Sequence, residues 1–288
     1  SHDMAALGRC TCSPCCHHPA EAPAASNTKS SSIWFMPAWD DTDNDGLVSR
    51  PNVEIEGGAA YVGKWLGNKK HGEGILIRAD GSKYEGQFIA DHADGNGRFT
   101  HTNGDVYDGQ WLNDQVHGSG KFLHSDGSAY DGEWEMDQKS GAGHETWMDG
   151  SEFRGQYRAG KKHGHGHFTA VDGSIFAGQF VADTMEGDGT YTFTDGRIYH
   201  GQWRKNQMNG TGHMQWPDGR SYEGGYLDDR KSAEGKFCWP DGRSYMGFWK
   251  EGKMHGTGCY VDHQGRSRRG EWSEGQRIGW CRSEVPQQ

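Results

Sequence analysis

Aromatic and polar residues alternate in short runs along most of the chain, and one such run is Tyr107-Asp108-Gly109-Gln110-Trp111. Side chains two residues apart lie on the same face of a β-strand, so the alternation predicts a strand that carries both rings on one face. The run recurs every 23 residues. Its first ring is Tyr61, Tyr84, Tyr107, Tyr130, Phe153, Phe176, Tyr199, Tyr222 or Tyr245, and its second ring is Trp65, Phe88, Trp111, Trp134, Tyr157, Phe180, Trp203, Tyr226 or Trp249.

A second alternating run follows each first run, and in the same repeat it contains Gly118, Gly120 and Phe122. It leads to an Asp-Gly or Asn-Gly pair, here Asp126-Gly127. Such pairs tolerate positive φ at little cost and favour tight hairpin turns. Each repeat therefore predicts one hairpin of two short antiparallel strands.

Glycine stands between the two rings of every first run, and it leaves room for a neighbouring ring to lie across the strand. A tenth, degenerate copy places Arg268, Gly270 and Trp272 in the same register, which fits a polar terminal cap. Departures from the pattern also occur inside the array. Glu145 replaces a ring of the second run, and Ala233 replaces a glycine.

The motif Tyr-x-Gly-x-Trp, followed by Gly-x-Gly and then Asp-Gly, resembles the MORN (membrane occupation and recognition nexus) repeat, from residue 61 to about residue 281. The resemblance implies an all-β fold, an elongated single antiparallel twisted sheet of about ten stacked β-hairpins. The expected organisation is a Cys-rich arm over 1–32, an apolar cap and acidic linker over 33–56, the repeat array over 57–281 and a tail over 282–288.

The composition changes this picture in two ways. With 46 glycines in 288 residues, 32% hydrophobic residues and a mean hydropathy of -0.96, the chain approaches the disordered class, and only the periodic placement of the rings predicts a folded core. The net charge of -10 argues against a nucleic-acid partner. The basic pairs Lys69-Lys70 and Lys161-Lys162 are interpreted as solvated charges in turns.

The N-terminal arm contains Cys10, Cys12, Cys15 and Cys16, followed by two histidines. Three interpretations stay open: a metal centre, acylation that anchors the chain to a membrane, and a mobile tail with reduced thiols. The total of seven cysteines is odd, which favours an intracellular, reducing compartment. The apolar stretch 33–39 is expected to cap the first hairpin, or else to act as a docking peptide.

Asp41, Asp43, Asp45 and Gly46 resemble the first half of an EF-hand calcium loop, in which oxygens at positions 1, 3 and 5 converge on the ion. The twelfth position is Asn52 rather than glutamate, so the prediction is either a weak calcium site or an acidic linker.

Motifs of catalysis are absent from the sequence. The Gly-x-Gly pairs do not continue as a phosphate-binding loop, and the recurring histidines (His71, His117, His163 and His255) stand one per repeat and are interpreted as turn residues. Equal repeats do not form the converging pocket that an enzyme needs. We expect no enzyme activity and no cofactor.

The function that the sequence indicates is a non-enzymatic scaffold or spacer that binds partner proteins along an aromatic groove. The nine second rings, from Trp65 to Trp249, are the candidate partner-binding residues. The resemblance implies a structural subunit of a larger assembly, in cytoskeletal or membrane-associated settings. The alternative is a membrane-tethered adaptor held by an acylated cysteine cluster, and a homodimer formed by terminal repeats is a further option.

Overall fold

The computed structural model describes residues 43–281, and there the fold is all-β, as predicted. The strands are hydrogen-bonded in one open antiparallel sheet of 21 strands. The described residues divide into an N-terminal unit over 43–148 and a C-terminal unit over 149–281. The stretch Val48–Ile55, inside the predicted linker, forms the first strand and pairs with the first strand of the array.

The N-terminal unit contains β1 (Val48–Ile55), β2 (Ala59–Leu66), β3 (Lys69–Ile77), β4 (Lys83–Ile89), β5 (His92–Thr100), β6 (Val106–Leu112), β7 (Gln115–Leu123), β8 (Ala129–Glu135) and β9 (Gln138–Thr146). The C-terminal unit contains β10 (Glu152–Arg158), β11 (Lys161–Thr169), β12 (Ile175–Val181), β13 (Thr184–Thr192), β14 (Ile198–Arg204), β15 (Gln207–Gln215), β16 (Ser221–Leu227), β17 (Arg230–Cys238), β18 (Ser244–Lys250), β19 (Lys253–Val261), β20 (Ser267–Ser273) and β21 (Gln276–Trp280).

The repeats pair glycine with glycine, and most of them pair ring with ring. In the hairpin of β6 and β7, Tyr107 lies opposite Phe122 and Gly109 lies opposite Gly120. A β-bulge follows Gly109 and brings Trp111 opposite Val116. The bulge consumes extra residues on the second strand, which explains why second strands have nine residues and first strands have seven.

The hairpin turn within each repeat has two residues, and sequence reasoning missed it. Between β6 and β7 it consists of Asn113 and Asp114, whose φ values are 48° and 66°. Two consecutive positive φ angles are the mark of a type I′ turn, which matches the right-handed twist of the strands. The residue in the second place is Asp, Asn or Gly in every repeat, which is the signal that could have revealed this turn.

The Asp-Gly pair lies in the other, slightly longer turn, which joins one repeat to the next, and the predicted positive φ is found at its glycine. Gly127 has a φ of 92° and donates its N–H to the carbonyl of His124 at 3.0 Å. His124 in turn donates its N–H to the carbonyl of Ser128 at 2.8 Å. This is a three-residue loop, a reverse turn closed by a left-handed glycine. Asp126 accepts the N–H of Ser128 at 2.8 Å and fixes the turn.

The turns are also joined from repeat to repeat. The Asp114 carboxylate accepts the backbone N–H of Ala93, in the preceding hairpin, at 2.7 Å. The histidines predicted to lie in turns are instead strand residues of β3, β7, β11 and β19. One of them, His71, accepts the N–H of Ala90 in the neighbouring turn through Nδ1 at 3.4 Å. His71 therefore links its strand to the turn of the adjacent hairpin.

The core of each unit lies on one face of its strands, which we call the ring face. Tyr107 and Trp111 are buried there, while Asp108 between them is exposed on the outer face. The glycines make this packing possible, since a Cβ at Gly120 would stand 2.5 Å from Tyr107 Cζ. The prediction that rings lie across bare glycine backbone is thus confirmed.

Candidate functional site

Rings of successive repeats contact one another edge to face along each ring face. In the N-terminal unit, Tyr107 packs against Trp111 of its own repeat at a centroid distance of 5.3 Å and against Trp134 of the next repeat at 5.6 Å. In the C-terminal unit, Tyr222 packs in the same way against Tyr226 at 5.3 Å and Trp249 at 5.1 Å. Edge-to-face packing is the favoured geometry of aromatic pairs, so each ring face has a regular, rigid row of rings.

Many polar atoms of the rings are hydrogen-bonded to the backbone beneath them, whereas Trp65 Nε1 and the Tyr226 hydroxyl have no partner among residues 43–281. The Tyr107 hydroxyl donates to the carbonyl of Gln110 at 3.0 Å, and Trp111 Nε1 donates to the carbonyl of Gly97 at 3.0 Å. Burial raises the pKa of these tyrosines, for example to about 12 at Tyr61. The phenols are therefore structural groups and not acids or bases near neutral pH.

The nine predicted partner-binding rings all lie in these two rows. They are buried, with exposures between 2% for Phe88 and 8% for Trp111 and Trp134. Little of each ring reaches the surface, and the first role of these rings is to form the core. Partner contact by these nine rings stays a prediction.

Cationic side chains cover the ring faces, a feature that sequence reasoning missed. In the N-terminal unit, Arg50 lies over Trp65 at 5.0 Å and Lys70 lies over Phe88 at 5.9 Å. In the C-terminal unit, Lys162 lies over Phe153 at 5.4 Å. The interpretation of Lys70 and Lys162 as turn charges was wrong, because both are strand residues whose amines pack on rings. An acidic chain thus has a locally basic ring face.

The longer turns of the C-terminal unit add a second row of partly exposed rings, each stacked with an arginine. Arg197 lies over Phe193 at 4.4 Å, and the same arrangement repeats with Arg220 over Trp216 at 5.6 Å and Arg243 over Trp239 at 5.4 Å. Each arginine is paired through Nε with the aspartate of its own turn at 2.6–2.7 Å. The recurring sequence Trp-Pro-Asp-Gly-Arg at 216–220 and 239–243 is the signal that could have shown these rows in advance.

The departure at Glu145 is compensated inside the fold. Its carboxylate is buried and pairs with Lys139, whose amine also lies 4.8 Å from the centroid of the Tyr130 ring. An ion pair therefore replaces the ring or aliphatic side chain that other repeats place at this position.

One aspartate of the predicted calcium loop, Asp43, has other partners. Asp43 accepts the N–H of Leu47 at 2.9 Å and pairs with Lys64 at 2.9 Å, and the bond from Lys64 is the largest cause that holds the pKa of Asp43 below its usual value. The second half of the loop is part of β1. Asp41 lies outside the described residues, and within 43–281 no three His, Cys, Asp or Glu side chains are grouped to hold a metal ion. Calcium binding by Asp41, Asp43 and Asp45 stays a prediction.

Several other predicted features also lie outside the described residues: the cysteine cluster Cys10, Cys12, Cys15 and Cys16, the apolar stretch 33–39 and the tail 282–288. Acylation of the cluster therefore stays a prediction. No helix within residues 43–281 has the length and apolar character to cross a bilayer.

Comparison with known proteins agrees with the repeat structure. The MORN repeat model matches nine consecutive segments: 61–83, 84–106, 107–129, 130–152, 153–175, 176–196, 199–219, 222–242 and 245–265. No curated protein matches the sequence significantly.

Three solved structures illustrate the structural neighbours. The TCP10 domain of Danio rerio CPAP, in complex with a peptide of Danio rerio STIL, has 12% identity and a TM-score of 0.43, with 81% of this chain and 99% of that chain covered. The Drosophila melanogaster SAS-4 (dCPAP) TCP domain, in complex with a proline-rich motif of Ana2 (dSTIL), has 11% identity and a TM-score of 0.26, with 79% and 99% covered. An inactive virginiamycin B lyase from Staphylococcus aureus has 8% identity and a TM-score of 0.16, with 78% and 85% covered. All three TM-scores are below 0.5, so these likenesses carry no argument about function.

The family match spans most of the array, and the fold repeats the same hairpin at each matched segment. The chain belongs to the MORN repeat family.

Proposed function

We propose that this chain is a non-enzymatic scaffold that binds segments of partner proteins on its ring faces. The observation that carries the proposal is the regular row of rings with cationic side chains over it, such as Arg50 over Trp65 and Lys162 over Phe153. Such a surface offers apolar edges and positive charge at fixed intervals. Aromatic edges with adjacent cations suit extended or helical protein segments.

Site-specific photocrosslinking in native extract tests this proposal. A photoreactive phenylalanine replaces Lys70 or Trp239 on a ring face, and the matched controls replace Arg98 or Lys236, which are exposed on the outer face. We expect ring-face positions to capture the same stoichiometric protein and outer-face positions to miss it. Equal capture from both faces, or capture from the outer face alone, would refute the proposal.

The membrane-tethered adaptor is the second candidate, and the cysteine cluster at residues 10–16 favours it. Two or more acyl chains give stable attachment to a bilayer. Deletion of residues 1–32 separates the two candidates. The adaptor would leave the membrane fraction, whereas the scaffold would keep its ring-face crosslinks.

The cellular setting and self-association follow as further parts of the proposal. We place the chain in an intracellular, reducing compartment, within a cytoskeletal or membrane-associated assembly. Strand β21 is exposed along its whole length, and an uncovered edge strand can pair with a second copy. Light scattering of the full chain tests the homodimer, and a monomer mass at high concentration excludes it.

A further inference from the structure

Lys231 of the C-terminal unit stands at a repeat position that some repeats fill with a buried apolar side chain and others fill with a lysine, namely Lys70, Lys139 and Lys162. Lys231 lies on β17 opposite Tyr226, at the position that Ala93, Val116 and Met208 fill in three other repeats. Those three apolar residues are buried. A lysine here therefore needs an explanation beyond packing, because burying an ammonium costs free energy unless it has a partner.

Four rings surround the amine of Lys231. Its Nζ lies 4.6 Å from the ring centroid of Trp249, 4.7 Å from that of Phe237, 5.3 Å from that of Tyr222 and 5.4 Å from that of Trp216. These rings attract the cation but do not accept hydrogen bonds as a carboxylate does.

Lys231 lacks the carboxylate partner that Lys139 has at the same position of its own repeat. Lys139 pairs with the buried Glu145. No carboxylate among residues 43–281 lies within ion-pair distance of Lys231. Burial lowers the pKa of Lys231 to about 8, with Arg220 as a further cause. The fold thus holds a poorly solvated cation that lacks an anionic partner.

The surroundings of Lys231 are suited to an extended protein segment. Arg220 lies over Trp216, the same ring that Lys231 approaches, and its Nε donates a hydrogen bond to the Asp218 carboxylate. Its terminal nitrogens have no acceptor within the described part of the chain. Trp239, in the equivalent turn of the next repeat, is a second partly exposed ring, and it is likewise stacked with an arginine, Arg243.

We propose that Lys231, Arg220 and Trp216 form an anion-binding subsite that accepts a carboxylate side chain from an extended segment of a partner protein. The proposal deepens the scaffold function and rests on it. Charge complementarity favours a carboxylate over a phosphate, because Asp218 lies beside the subsite and would repel a dianion more strongly. The row of turn rings supplies the apolar contacts on either side.

Selection from a display library of random peptides tests the subsite on the full chain. The baits are the unmodified protein, the Lys231→Met variant and a matched control, Lys236→Met, which removes the same charge from the outer face of the same strand. Thermal unfolding verifies that each variant is folded. The highest-ranking peptide is then compared with its Glu→Gln or Asp→Asn counterpart by calorimetry.

We expect the unmodified protein and Lys236→Met to select peptides enriched in Asp or Glu at one position, and Lys231→Met to lose this enrichment. The acidic peptide should bind the unmodified protein roughly tenfold more tightly than its amide counterpart, as for a hydrogen bond to a charged group, and the ratio should fall to about one in Lys231→Met. Selection of the same non-acidic peptides by all baits would overturn the subsite and leave the scaffold function standing. Failure of every bait to select a peptide would overturn both.

Discussion

A methyl group at Gly120 tests the physical basis of the whole array, the packing of rings on bare backbone. In Gly120→Ala the new Cβ would lie 2.5 Å from Tyr107 Cζ and 2.6 Å from Cε2, well inside the contact distance of about 3.5 Å. Tyr107 cannot tilt away without losing its hydrogen bond to Gln110 and its edge contact with Trp111. Overpacking costs about 1–3 kcal/mol and loss of a buried ring about 3–5 kcal/mol. We therefore expect the free energy of unfolding to fall by roughly 3 kcal/mol.

Urea unfolding of the full chain, followed by tryptophan fluorescence, measures this change. The control is Gly279→Ala, where no atom lies within 4 Å of the added Cβ, and there we expect a change below about 0.5 kcal/mol. A double-mutant cycle with Tyr107→Ala isolates the clash, because the cost of Gly120→Ala should largely vanish once the ring is absent. If Gly120→Ala unfolds at the same urea concentration as the unmodified protein, the account of why glycine occupies this position is refuted.

Three further changes test other parts of the structure. Ala233 has a φ of 57°, a strained value for alanine, where other repeats have glycine. Ala233→Gly should therefore raise the free energy of unfolding in urea by about 0.5–1 kcal/mol, and the absence of an increase would show that the backbone is not strained at this position. The buried Tyr226 hydroxyl has no hydrogen-bond partner among residues 43–281, so Tyr226→Phe should stabilise the chain by up to about 1 kcal/mol, and a lower melting temperature would reveal a missed partner. The pKa of Lys231 is about 8 in the folded chain and has its ordinary value of 10.5 in the unfolded chain. Between pH 8 and pH 10.5 the unfolded chain therefore binds more protons than the folded chain, and the free energy of unfolding rises with pH. From pH 7 to 9.5 the unmodified protein should gain roughly 2 kcal/mol over Lys231→Met, and parallel pH profiles would exclude the shift.

The sequence was sufficient for the features that depend on local periodicity. The 23-residue spacing places Tyr107, Gly109 and Trp111 on one face, and the structure confirms both the face and the ring over glycine. The two-residue turn was missed because its first place accepts dissimilar residues, among them Ala90 and Lys205. The twist of the hairpin imposes positive φ on them, whereas the Asp-Gly pair of the longer turn gives a stronger local signal.

The cations of the ring face could not be predicted in the same way. Lys70 stands next to Lys69 in the sequence, and such a pair is typical of solvated charge. Only the pairing of strands from different repeats shows that Lys70 lies over Phe88, and that Lys231 lies among four rings. Contacts of this kind depend on residues many positions apart, so a single repeat does not reveal them.

The positions that repeat and the positions that depart have different roles in this chain. A residue that recurs in every repeat, such as Gly109, makes the hairpin possible and is the same in all of them. Discrimination between partners requires a difference of affinities, which a uniform row of rings does not supply. Residues that depart from the repeat pattern can supply this difference of affinities, but only where no neighbouring residue neutralises their charge. Glu145 is neutralised by Lys139, so this pair stabilises the interior and presents little charge. Lys231 lies among rings without a carboxylate partner, and we therefore expect it, rather than the rings themselves, to decide which segment binds there.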